Sequence, residues 1–94
     1  MNTEDLLVSK TWTVRIDIGE HGSTTRATAH LQTADRTSLT GTGAAHLNPA
    51  DPNVPEIGDE LAAARALSQL AHALLDAAAE DISGVVHQKV ELTK

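Results

Sequence analysis

Cysteine, phenylalanine and tyrosine are absent from this 94-residue chain, and Trp12 is its one aromatic side chain. Without cysteine there is neither a disulfide framework nor a thiolate metal site, which suits a reducing compartment. Platforms that stack single-stranded bases use several aromatics, so that style of RNA reading is excluded. Basic residues are scarce too: seven Lys and Arg stand against thirteen Asp and Glu, a net charge of −6. Non-specific affinity for nucleic acid comes largely from Lys and Arg releasing counterions from phosphate, so a bare phosphate backbone is not the expected partner. No apolar run approaches the ~20 residues of a membrane span. The start, "MNTEDLLVSK", has neither the basic region nor the apolar stretch of a signal peptide. These absences lead to the expectation of a cytoplasmic protein with no membrane partner.

Chemical motifs are missing as well. There is no P-loop, no Gly-x-Gly-x-x-Gly after a strand, no His-Glu-x-x-His and no Gly-x-Ser-x-Gly. His30 and His46 fall at opposite ends of one sheet face, and His72 with Asp76 supplies two ligands where a zinc site needs three or four. Glu56, Asp59 and Glu60 resemble paired carboxylates, but nothing near them provides a nucleophile or an oxyanion donor. The expectation is a non-enzyme with no cofactor, no metal and no small-molecule substrate.

Residues 1–10 read as a polar tail and residues 11–94 as a single domain. "WTVRIDI" alternates fully, with Trp12, Val14, Ile16 and Ile18 on one side and Thr13, Arg15 and Asp17 on the other. Period two with β-branched residues predicts a half-buried strand over about 11–18. "GEHG" supplies a turn, and further alternating segments predict strands over about 23–32 and 37–47. Short hairpin loops fix an approximate register. The simplest register sets Trp12 beside Ala29 and Ala29 beside Gly41, with Val14, Ala27 and Gly43 in the next row. Glycine weakens a strand, and one reason to keep it is close approach of another group. Gly41 and Gly43 are therefore expected to form a shallow trough for a helix or the Trp12 ring; a pair of bulges is the alternative.

All three prolines lie in "PADPNVP". Pro49 and Pro52 push the residues before them out of helical geometry. Asn53 and Glu56 have capping-box spacing, and Pro55 fits a first helical turn. The segment reads as a stiff corner into a helix over about 55–81, in preference to a catalytic or binding loop. On a helical wheel Ile57, Leu61, Ala64, Leu67, Ala71, Leu74, Leu75 and Ala78 make an apolar stripe. Arg65, Gln69, His72, Asp76 and Glu80 make the opposite, solvated face. Gly84 reads as a helix stop, followed by a β-prone tail over 84–92 that can add to a sheet edge. The fold class expected is α+β: a three-stranded antiparallel meander packed on one long C-terminal helix, with a short β-prone tail.

On the outer sheet face this register sets Arg15 across from Arg26, among hydroxyls. Two arginines so placed could hold a phosphate or a partner's carboxylate, so Arg15, Arg26, Thr13, Thr28, His30 and Thr42 form the candidate partner-binding face. A plain solvated face is the alternative.

The run "HLNPADPNVPEIGDELAAARALSQL", with "WTVRIDI" ahead of it, resembles a family of small actinobacterial proteins of unknown biochemical function from mycobacteria and streptomycetes. The resemblance covers roughly residues 12–88. It implies a fold similar to the double-stranded-RNA-binding domain, a link to hypoxia and dormancy, and a homodimer likened to ribosome hibernation-promoting factors. Where double-stranded-RNA-binding domains place lysines at a helix start, this chain has Glu56, Asp59 and Glu60. Two functions follow as expectations. One is a dormancy-linked translation regulator that binds the ribosome or a ribosomal protein as a homodimer. The other is a protein-interaction module, dimerising through a sheet edge and the C-terminal tail, with no nucleic-acid role.

Overall fold

The computed structural model describes residues 9–34, 38–48 and 54–92. It contains β1 (Thr13–His21), β2 (Thr24–Gln32), β3 (Ser38–His46) and one helix, α1 (Pro55–Leu92). The strands form an antiparallel sheet in the order β1-β2-β3. The helix packs on one face of it, the expected α+β arrangement.

β1 runs three residues past the expected end at Ile18. The turn is only Gly22 and Ser23, because His21 already pairs with Thr24. Gly22 takes φ 62°, a left-handed backbone that glycine adopts without penalty at the first central position of a two-residue hairpin. Gly19, Glu20 and His21 stay in the ladder, opposite Arg26, Thr25 and Thr24. The β1–β2 register is consequently displaced from the expected one by four residues: Ile16, not Trp12, lies beside Ala29. An even displacement keeps every side chain on its expected face and changes only its neighbours. Between β2 and β3 the rows are Ala29 with Gly41 and Ala27 with Gly43.

The sheet meets the helix where side chains are smallest. A Cβ on Gly41 would collide with the Ala66 carbonyl oxygen and the Leu70 amide, and one on Gly43 with Ala66 N and, at 2.5 Å, Ala62 O. So close an approach of backbone to backbone selects the row Gly58, Ala62, Ala66, Leu70, one residue per turn, as the packed side of the helix. Ala62, Ala66 and Leu70 are buried with Ala27, Ala29, Leu31 and Ala45. The larger stripe expected from the wheel is not the packed one. Ile57, Leu61, Leu67 and Leu75 are 52%, 45%, 42% and 67% exposed. Trp12 is also outside the trough: it precedes β1, with β2 between it and the glycines, and is 54% exposed.

The helix does not stop at Gly84, and the segment 84–92 is helical through Leu92 instead of a β-prone tail. Ile82, Val85 and the valines that follow also fit a helical period, and Gly84 meets nothing within 4 Å that would turn the chain. At 38 residues and ~1.5 Å per residue the helix is about 57 Å long, against roughly 30 Å for a nine-residue strand. Its C-terminal part overhangs the sheet, and residues 78–85 are all exposed. Pro55 is the first helical residue and Glu56 stands in the first turn, where negative charge complements the helix dipole. The Ile57 amide donates to the Val54 carbonyl at 3.1 Å. Pro49, Pro52 and Asn53, the rest of the expected corner and cap, lie outside the described residues.

Candidate interaction surface

The outer sheet face carries the residues expected to bind a partner, but the register divides them. Arg15 lies across from His30, and Arg26 across from Gly19 and Ala44. The two arginines are therefore not opposite one another. His30, the neighbour of Arg15, is four residues along β2 from Arg26, roughly 13 Å at the rise of a strand. Arg15 Nε is 3.4 Å from Asp17 Oδ2, and His30 Nε2 is 3.3 Å from the same oxygen. Thr13, Arg15 and His30 border one depression of about 390 Å³, while Arg26, Thr28 and Thr42 border another of about 330 Å³. A two-arginine clamp for one phosphate is not formed. Two other histidines are engaged locally: His46 Nδ1 is hydrogen-bonded to Thr24 Oγ1 at 3.0 Å, and His72 Nδ1 donates to the Ser68 carbonyl at 2.9 Å.

The two edges of the sheet differ in a way that helical periodicity does not suggest. Arg65 and Gln69, expected on the solvated side of the helix, reach down to β3. The Thr42 amide donates to Gln69 Oε1 at 2.5 Å, and the Thr42 hydroxyl donates to the same oxygen at 3.1 Å. Arg65 Nη1 donates to the Ala44 carbonyl at 2.6 Å. The outward amide of Thr42 and the outward carbonyl of Ala44 are thus occupied by the chain's own side chains. A strand edge covered in this way is a poor template for another strand.

The same bonds fix the direction of the other edge. In an antiparallel ladder a residue's N–H and C=O point to the same side, and the side alternates along the strand. Thr42 and Ala44 point away from β2, so Gly41 and Gly43 bond to Ala29 and Ala27. It follows that Arg26, Thr28 and His30 bond to Gly19, Asp17 and Arg15. The backbone groups of Val14, Ile16 and Ile18 then point away from the sheet, and among the described residues no strand lies beyond β1.

The side chains of those three residues face the helix side, yet the helix crosses β3 and β2 and barely reaches β1. Val14 and Ile18 are 41% and 45% exposed, and Ile16 is half-buried against the core. On the helix, Leu67 falls by helical period on the side away from Gln69 and is exposed, and Leu74 packs against the core. Among the described residues β1 therefore combines an open hydrogen-bonding edge with an incompletely covered apolar face. This is the arrangement that accepts an added strand: main-chain bonds supply affinity and the alternating side chains supply selectivity.

Comparison with known proteins places the chain among relatives. The model of the family described as Rv2632c-like matches residues 10–91. An uncharacterized protein of Mycobacterium bovis, Mb1767, is 53% identical over 81 residues, covering 86% of this chain and 85% of that protein. The uncharacterized protein Rv2632c of Mycobacterium tuberculosis is 47% identical over 88 residues, covering 94% of each. A solved structure titled "Crystal Structure of Rv2632c" superposes with a TM-score of 0.77 at 48% identity, covering 85% of this chain and 94% of that one.

Proposed function

This chain belongs to the Rv2632c-like family, and from that premise we propose that it acts by binding other protein chains, not by turning over a substrate, with β1 as its working surface. The observation that carries this reading is the contrast between the edges. β3 is closed by Gln69 and Arg65, while β1 is left open beside the exposed Val14 and Ile18. A chain that spends helix side chains on guarding one edge and leaves the other uncovered has a use for the second.

A protein partner fits this surface better than RNA does. Arg15 already faces Asp17, and a net charge of −6 repels phosphate at long range. The translation and dormancy role implied by the family resemblance takes its most compatible form as contact with a ribosomal protein.

The test is photo-cross-linking in the organism that encodes the chain. A photoreactive residue replaces Ile18 on the β1 face or, as the comparison, Thr28 on the outer face. Protein adducts from position 18, and few from position 28, are expected. RNA adducts, or adducts formed chiefly from position 28, would overturn the reading.

A further inference from the structure

A cavity of about 90 Å³ lies between the β1–β2 turn and the start of α1, bordered by Glu20, Thr25, Leu47, Val54, Ile57 and Leu61. It is well below the ~300–1,000 Å³ of sites that take a small molecule or cofactor, and it suits one inserted side chain. We propose that it takes a lysine side chain from a basic partner protein. The aliphatic stem lies against Leu47, Val54, Ile57 and Leu61, and the ammonium meets the Thr25 hydroxyl and the Glu20 carboxylate. The site sits at the hairpin end of the sheet and takes a side chain, whereas the β1 edge takes a strand. It therefore goes beyond the reading above and does not depend on it.

Three observations carry the inference. The first is an unused hydroxyl. Thr25 is the one buried polar residue among the described residues, at 8% exposure. Every fully enclosed side-chain oxygen or nitrogen among those residues has a hydrogen-bond partner. The Thr25 hydroxyl has none, so it is not enclosed and opens into the cavity that Thr25 borders. Gly58 leaves it uncovered, for a Cβ there would stand 3.0 Å from Thr25 Oγ1. Glycine destabilises a helix relative to alanine, and here it keeps the space above the hydroxyl open. The second observation is the sign of the charge. Glu20 continues the Val14, Ile16 and Ile18 side of β1 and pairs with Thr25, so carboxylate and hydroxyl are cross-strand neighbours. Glu56, Asp59 and Glu60 add three carboxylates in the first two turns of α1, and among the described residues none of the four is in an ion pair. Their summed field draws in a cation. An anion finds little here, because Pro55 has no N–H and the Ile57 amide is given to the Val54 carbonyl. The third is the apolar wall: Val54, Ile57 and Leu61 are 38%, 52% and 45% exposed. A lysine buries its stem on such a surface while its head stays with polar groups. Its compact ammonium fits a space of this size better than the planar fork of arginine.

The test is a titration of the isotope-labelled chain with N-acetyl-lysine methylamide, followed by amide chemical shifts. The norleucine counterpart, with a similar stem and no charge, is the comparison. The lysine compound should bind in roughly the millimolar range that its size allows and shift the amides of Gly22, Ser23, Thr25 and Gly58. The norleucine compound should bind about tenfold more weakly. T25V keeps the side-chain volume but removes the hydroxyl, and should weaken lysine binding by about tenfold. E20Q should weaken it by about threefold, since Glu20 is exposed. G58A covers the hydroxyl while favouring the helix, and should abolish the shifts in a chain that remains folded. No shift at these amides, norleucine binding as tight as lysine, or T25V and G58A binding as well as wild type would each overturn the proposal. The two readings fail separately. Lysine binding that obeys these rules, with cross-links chiefly from Thr28, would remove the β1 surface and leave this site. Protein adducts from Ile18 with no lysine binding would do the reverse.

Discussion

Replacing Gly41 with alanine adds one methyl group at the place where sheet and helix touch most closely. Its Cβ would meet the Ala66 carbonyl oxygen, the Leu70 amide and, at 2.9 Å, the Leu70 Cα. All three atoms are backbone, so no side-chain rotation relieves the clash. Carbon atoms rest about 3.5–4.0 Å apart, so the helix must retreat by roughly 0.6–1.1 Å. A gap of that size forfeits about a quarter to a half of the dispersion attraction at each contact it opens. Overpacking costs ~1–3 kcal/mol, and rigid backbone on both sides places this site at the upper end. Removing a strand glycine returns ~0.5–1 kcal/mol. The net loss expected for G41A is about 2 kcal/mol, a fall in Tm of roughly 8–16 °C for a domain of this size. Thermal unfolding followed by far-UV circular dichroism measures it. The control is G19A, also in a strand, whose added methyl meets nothing within 4 Å and which should therefore stabilise the chain by about 0.5–1 kcal/mol. A G41A chain as stable as wild type would refute the close packing of α1 on β3.

The choice of packed helix face is checked by truncating two leucines. L70A removes a side chain that is 3% exposed and should cost ~2–4 kcal/mol in urea unfolding, whereas L67A removes one that is already 42% exposed and should cost under about 1 kcal/mol. Equal losses would restore the wheel's assignment. Q69A withdraws the acceptor of the Thr42 amide; amide exchange at Thr42 should accelerate, with a stability loss of about 1 kcal/mol, and unchanged exchange would show that Gln69 does not guard the edge. G84A should increase helical circular dichroism and stabilise the overhanging part of α1 by about 0.5–1 kcal/mol, while reduced helicity would mean that Gly84 ends the helix after all.

The strands are legible in the sequence because alternation in "WTVRIDI" and the rows of alanine and glycine are strong local signals. The pairing of β2 with β3 can be read for the same reason. β1 is harder to align because Gly19 and Gly22 both look like turn residues, and only the positive φ of Gly22 shows which one turns the chain. Placing the turn too early creates the apparent Arg15–Arg26 pair. The packed helix face is hidden because a hydrophobic wheel ranks Leu and Ile above Ala, whereas backbone pressed against glycine needs the smallest side chains. Gln69 and Arg65 give no signal at all. Polar residues on one side of a helix look solvated unless the position of β3 beneath them is known. The open edge of β1 can be recognised only once β3 is seen to be closed.

The contrast between the edges is tested most directly by amide hydrogen exchange, resolved residue by residue. Exchange at Thr42 is predicted to be slow and exchange at Ile16 to be fast. Exchange as fast at Thr42 as at Ile16 would contradict a guarded β3 beside an open β1.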